Sequence, residues 1–153
     1  MLRSRSEIVE MEAELKESVG IAKKTLELAK KNKSTCAFEA EEWLNCLEEQ
    51  LKTLMQFKDF SSKVAEGALA EVEEKFFPDL AEVLSYRKDI LFFEHGPKDD
   101  NTDSVLSPAL AYNKEGKSKL PASANEARKR AHILWHRKFI LEWLLKQADN
   151  KKN

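Results

Sequence analysis

The chain has 153 residues, 35% of them charged, with a net charge of −1 and only four glycines and four prolines. That length supports a single domain, residues 1–153, burying about 70% of its unfolded surface without help from disulfides or a structural metal. The scarcity of turn formers argues against a turn-rich β protein and favours long helices with solvated outer faces, while the balanced total hides 14 basic and 19 acidic side chains in residues 1–93 against 12 and 8 in residues 94–153.

In the first helix Ile8, Met11, Leu15, Val19, Ala22, Leu26 and Ala29 recur at spacings of three and four, which gathers them into one narrow seam of bundle or coiled-coil type. Ser6 is a candidate N-cap, and glutamates at the start with lysines at the end suit the macrodipole, so the helix is expected over 6–31. A short polar turn then makes the second helix antiparallel to the first. Its inner side carries Ala40, Trp43, Leu44, Leu47, Leu51, Leu54 and Met55, and no basic residue stands between Lys33 and Lys52. Asp59, Ser61 and Ser62 compete for the backbone and favour caps, placing a break near 58–62; one helix running on to Phe76 is the alternative. The third helix, expected over 62–94, contains Pro78, which removes a backbone donor and should kink or restart it. Gly96-Pro97 ends it.

Residues 97–120 form a long connection, expected to be flexible around Lys98–Asp103 and Lys114–Lys119. Between those stretches Val105, Leu106, Ala109, Leu110 and Tyr112 are apolar enough to dock, with a helical turn expected at Pro108–Tyr112. Ser123 and Glu126 then have the spacing of a capping box, which starts the last helix, expected over 122–149 and followed by a polar tail at 150–153. One broad side of this helix carries Ala127, Ala131, Ile133, Leu134, Ile140, Leu141, Leu144, Leu145 and Ala148 and is expected to be core. Trp135, Phe139 and Trp143 follow at i, i+4, i+8 on another side, mixed with Arg128, His132, His136, Glu142 and Lys146. The fold class is therefore all-α, a single antiparallel four-helix bundle with a long loop before the last helix.

Chemistry-bearing motifs are sparse. His132 and His136 have the i, i+4 spacing of a helical zinc site, but no glutamate follows His132 and no cysteine pair lies near in sequence, so no metal is expected. Neither Cys36 nor Cys46 sits in a nucleophile signature. On one helix they would be roughly 15 Å apart, too far for a disulfide. The four glycines are too scattered for a phosphate loop, and no cofactor or catalytic constellation is expected. Thiols too far apart to bridge, the lack of an apolar leader and the lack of a run of about 18 apolar residues suggest a cytoplasmic or nuclear protein with no membrane span.

The functional expectation is a non-enzymatic interaction or adaptor subunit that binds a partner protein or a second copy through an exposed helix face. The candidate contact residues are Trp135, Phe139, Trp143, Arg128, His132, His136 and Lys146. The alternative is nucleic-acid binding by the last helix, because residues 122–153 carry eight basic and three acidic side chains, a net of +5. The simplest use of that charge is pairing with the acidic second helix inside the molecule.

Overall fold

The computed structural model describes residues 5–34, 37–86, 106–108 and 119–152. Four long helices account for nearly all of them: α1 (Arg5–Lys31), α2 (Ala37–Phe57), α3 (Ser62–Ser85) and α4 (Ala122–Lys152). No helix among the described residues is long and apolar enough to cross a membrane.

The connections follow from local chemistry. After α1 the Ser34 amide donates to the Ala29 carbonyl and the Lys33 amide to the Lys30 carbonyl, with Lys33 at φ 52°. This is the paired bonding of a Schellman motif, here closed by a lysine in the left-handed region that glycine usually fills. Between α2 and α3 the chain breaks where Asp59, Ser61 and Ser62 were expected to break it. Ser61 takes up extended backbone and its hydroxyl accepts from the Val64 amide at 3.4 Å, capping α3. The single-helix alternative is thereby excluded. Pro78 does not restart α3, which continues through it to Ser85. The helix expected over 62–94 ends instead at Ser85, with Tyr86 as its C-cap; residues 87–94 lie outside the described residues, as do most of the 97–120 connection and, beyond Pro108, the expected turn at Pro108–Tyr112. The start of α4 needs one correction. The helix begins at Ala122 and the Asn125 amide bonds to the Pro121 carbonyl, so Ser123 lies within the first turn instead of capping it.

Three clusters of buried side chains give the direction of each helix. The largest joins Ile8 and Leu15 of α1, Leu54 and Phe57 of α2, Ala65 and Val72 of α3, and Ile140, Leu141 and Leu144 of α4. A second sets Phe76, Leu80 and Val83 of α3 against Ala127 and Ala131 of α4, with Leu106 inserted from the connection. The third sets Val19 and Ala22 against Leu44 and Leu47. Early α1 thus meets late α2, and early α3 meets late α4, so both pairs are antiparallel. The closest packings are α3 on α4, α1 on α2 and α2 on α4. As the second and fourth of four alternating helices, α2 and α4 run in the same direction, and the candidate site is built along their contact.

Leu141 is fully buried while Lys146, on the same helix, is exposed. Leu141→Ala should cost about 2–5 kcal/mol and Lys146→Ala less than about 0.5 kcal/mol in denaturant unfolding. Similar small losses at both positions would contradict the assigned inner face.

Candidate functional site

Two parallel helices in contact bring residues four apart on one opposite residues four apart on the other, turn after turn. Along α2 the inward series is Glu42, Cys46 and Gln50; along α4 it is Arg128, His132 and His136. The result is a polar seam inside an otherwise apolar bundle. Its first rung is a bidentate ion pair, with Arg128 Nη1 donating to Glu42 Oε2 at 2.6 Å and Nη2 to Oε1 at 2.8 Å. Arg128 is 0% exposed, so its other donors must also find acceptors inside the protein. Nε donates to Asn125 Oδ1 at 3.0 Å, and Nη1 donates a second bond to the Leu106 carbonyl at 2.8 Å. The last of these bonds pins the connection to the bundle.

The second rung begins on the same carboxylate. His132 Nδ1 lies 2.8 Å from Glu42 Oε2. Burial raises the Glu42 pKa, but the hydrogen bonds from His132 and Arg128 outweigh it and bring the group below its ordinary value of 4.5. At neutral pH the carboxylate is therefore ionised and can only accept, which places a proton on His132 Nδ1. One turn further, His136 Nδ1 is 2.6 Å from the Gln50 amide nitrogen. Cys46, in no disulfide, is buried between these rungs. One donor atom from each of Cys46, His132 and His136 falls within 4.8 Å of the others, a combination of thiol and imidazoles typical of transition-metal ligands. Beyond it Arg137 reaches back to Glu49 at 3.6 Å and to Thr53 Oγ1 and Gln56 Oε1 at 3.3 Å, with its guanidinium 5.3 Å from the centre of the Phe57 ring.

The seam comes to the surface through aromatic rings. His136 meets the edge of Trp43 at 6.5 Å and of Trp135 at 5.0 Å, and Trp135 stacks on Phe139 at 5.8 Å. Trp43 remains 51% and Phe139 43% exposed, while Trp135 is half-buried. Together they make one aromatic surface across the α2–α4 seam.

This arrangement revises several expected contact residues. Arg128, His132 and His136 do not lie on a partner-facing side; all three are buried in the seam. Nor do Trp135, Phe139 and Trp143 form one stripe, because a four-residue step advances about 40° and the three residues fan over about 80°. Trp143 turns into the largest core cluster and Trp135 packs beside the second. Lys146 is exposed. Glu42, Gln50 and Asn125 were not singled out from sequence, Cys46 was considered only as a nucleophile or disulfide partner, and Leu106 was expected to dock, as it does; the period-four series Glu42-Cys46-Gln50 matches the series Arg128-His132-His136 once the helices are known to be parallel.

Removing one partner of a buried ion pair leaves an uncompensated charge, so Arg128→Met should cost about 3–5 kcal/mol. Adding Glu42→Leu should recover more than half of that loss, as read by denaturant unfolding; a double variant no more stable than Arg128→Met would mean the pair is not coupled. The depressed Glu42 pKa also has a pH signature. Its stabilisation is complete above 4.5 and disappears as pH falls through the lower folded-state value. The stability gap between the wild type and Glu42→Gln should be level around neutrality and close in acid. A gap that widened in acid would reverse the assigned protonation.

Comparison with protein-family models, with curated proteins and with solved structures finds no match to this chain.

Proposed function

We propose that this chain is a non-enzymatic helical adaptor that binds a partner protein through the aromatic surface of Trp43, Trp135 and Phe139. The observation that carries this reading is the exposure of Trp43 and Phe139, 51% and 43%, at the two ends of a run of ring contacts that passes from Trp43 through buried His136 and Trp135 to Phe139. Large aromatics at about 150–250 Å² each supply much of the affinity at protein interfaces, most of all when they are already rigid. Lys138, half-buried and paired with Glu142, would contribute to a polar rim.

The cations of α4 favour a protein over a nucleic acid. Arg128 bonds Glu42, Arg130 bonds Asp79 at 3.1 Å, Arg137 faces Glu49, and Lys129 lies 3.6 Å from Glu126. Phosphate binding would have to compete with each of these acids. A buried Cys46 outside any disulfide is consistent with our placing the protein in a reducing compartment, cytosol or nucleus.

Photo-crosslinking in the native host tests the reading. With p-benzoyl-phenylalanine at position 139, a discrete protein adduct is expected that disappears when Trp43→Ser is added and that position 60, exposed at the α2–α3 turn, does not give. An adduct of twice the chain mass would identify a second copy as the partner. Equal labelling from both positions, or an adduct indifferent to Trp43→Ser, would refute the proposed surface.

A further inference from the structure

We propose that Cys46, His132 and His136 bind one transition-metal ion of borderline softness, with Zn²⁺ the best-suited occupant. All three are buried, and one donor atom from each lies within 4.8 Å of the others. Tetrahedral zinc, with bonds of about 2.0–2.1 Å to nitrogen and about 2.3 Å to sulfur, holds its ligand atoms roughly 3.3–3.6 Å apart. Closing the site therefore takes at most roughly 1.2–1.5 Å per pair, a shift within reach of side-chain rotation while the helices stay in place.

Proximity is supported by the way the rings are held. Histidines that bind metals usually give their second nitrogen to a carboxylate, carbonyl or amide, which fixes both tautomer and orientation. Here each ring is held at Nδ1: His132 by the Glu42 carboxylate at 2.8 Å and His136 by the Gln50 amide at 2.6 Å. The hydrogen bond between His132 Nδ1 and the Glu42 carboxylate is an outer contact of this kind, which leaves the other ring nitrogen for a metal. The Gln50 amide can present either end to His136, and metal binding selects the orientation in which its oxygen accepts from Nδ1–H. The two rings stand one helical turn apart on α4 with Cys46 facing them from α2, so each brings one ring nitrogen within reach of a shared ion.

Binding converts the Cys46 thiol to thiolate, its proton passing to solvent. A divalent ion with one thiolate leaves the site at +1, next to a Glu42 carboxylate whose own charge is balanced by Arg128. Three protein ligands leave a fourth coordination position open. A cavity of about 180 Å³ lined by Glu39, Trp43, Ser107, Pro108 and His132 adjoins the site and gives a small ligand such as water a way in.

The test is a Co²⁺ titration of the reduced full-length chain after chelator treatment. The expected result is one equivalent bound, with the intense visible bands of tetrahedral cobalt and a near-ultraviolet thiolate-to-cobalt charge-transfer band, both bleached by Zn²⁺. Because the chain has only two cysteines, a charge-transfer band that survives Cys36→Ala must come from Cys46. That comparison decides the matter even where Cys46→Ala fails to fold. Where it folds by circular dichroism, Cys46→Ala should remove the band, and Gln50→Leu should weaken binding about tenfold or more through loss of the outer hydrogen bond. Weak octahedral bands without charge transfer, or a band lost with Cys36→Ala and retained with Cys46→Ala, would overturn the site.

Discussion

The Arg128–Glu42 pair is the constraint on which the rest of the bundle depends. A guanidinium with no exposed surface is very costly to bury, and only full engagement of its donors makes this placement tolerable. The acceptors come from Glu42 on α2, Asn125 on α4 itself and the Leu106 carbonyl in the connection. One side chain thereby links the second helix, the fourth helix and the segment leading into the fourth. Leu106 shows how closely the polar and apolar requirements are joined. Its carbonyl accepts from Arg128 while its side chain is fully buried among Phe76, Leu80 and Val83.

Because desolvation offsets much of the attraction in a buried pair, we infer that its main contribution is to register. An apolar seam between parallel helices can slide by a turn at little cost, since one leucine packs much like another. Here a one-turn slip would set Glu42 opposite His132 and strip Arg128 of its carboxylate inside the protein. The penalty for a buried, unpaired charge is several kcal/mol, comparable with the whole stability of a small domain. The same register holds Cys46 between two histidines and Gln50 against the second of them.

How much of this was legible in the sequence follows from the range of each interaction. The α1 seam, the Ser61 break between α2 and α3, and the apolar side of α4 are set by residues within a few positions of one another, and each was readable as a period or a cap. The attraction between acidic α2 and basic α4 was readable as composition. The seam was not, because its two halves stand 86 residues apart and each alone looks like a solvated face. Helix α4 is the instructive case. Its polar residues were assigned outward because an amphipathic helix normally turns them to water. This helix is covered on two sides, by α3 mainly through apolar contacts and by α2 through the polar seam as well as the largest core cluster, so polarity stopped being a guide to exposure. The missing information was that α2 and α4 are neighbours, a fact of topology that no local window contains.

His136 is where the interior and the surface of the protein meet. Its Nδ1 belongs to the seam, bonded to Gln50, while its ring supports Trp43 on one helix and Trp135 on the other. A tryptophan on a solvated helix face ordinarily samples several rotamers, and fixing one costs a partner part of its binding energy. Trp43 and Trp135 instead rest on a ring whose orientation is set from beneath, and Phe139 is stacked on Trp135 in turn. The order of these three aromatics is therefore inherited from buried hydrogen bonds. A change to the His136–Gln50 rung would reach the surface without altering any exposed residue, which ties the shape of the aromatic face to the chemistry of the seam beneath it.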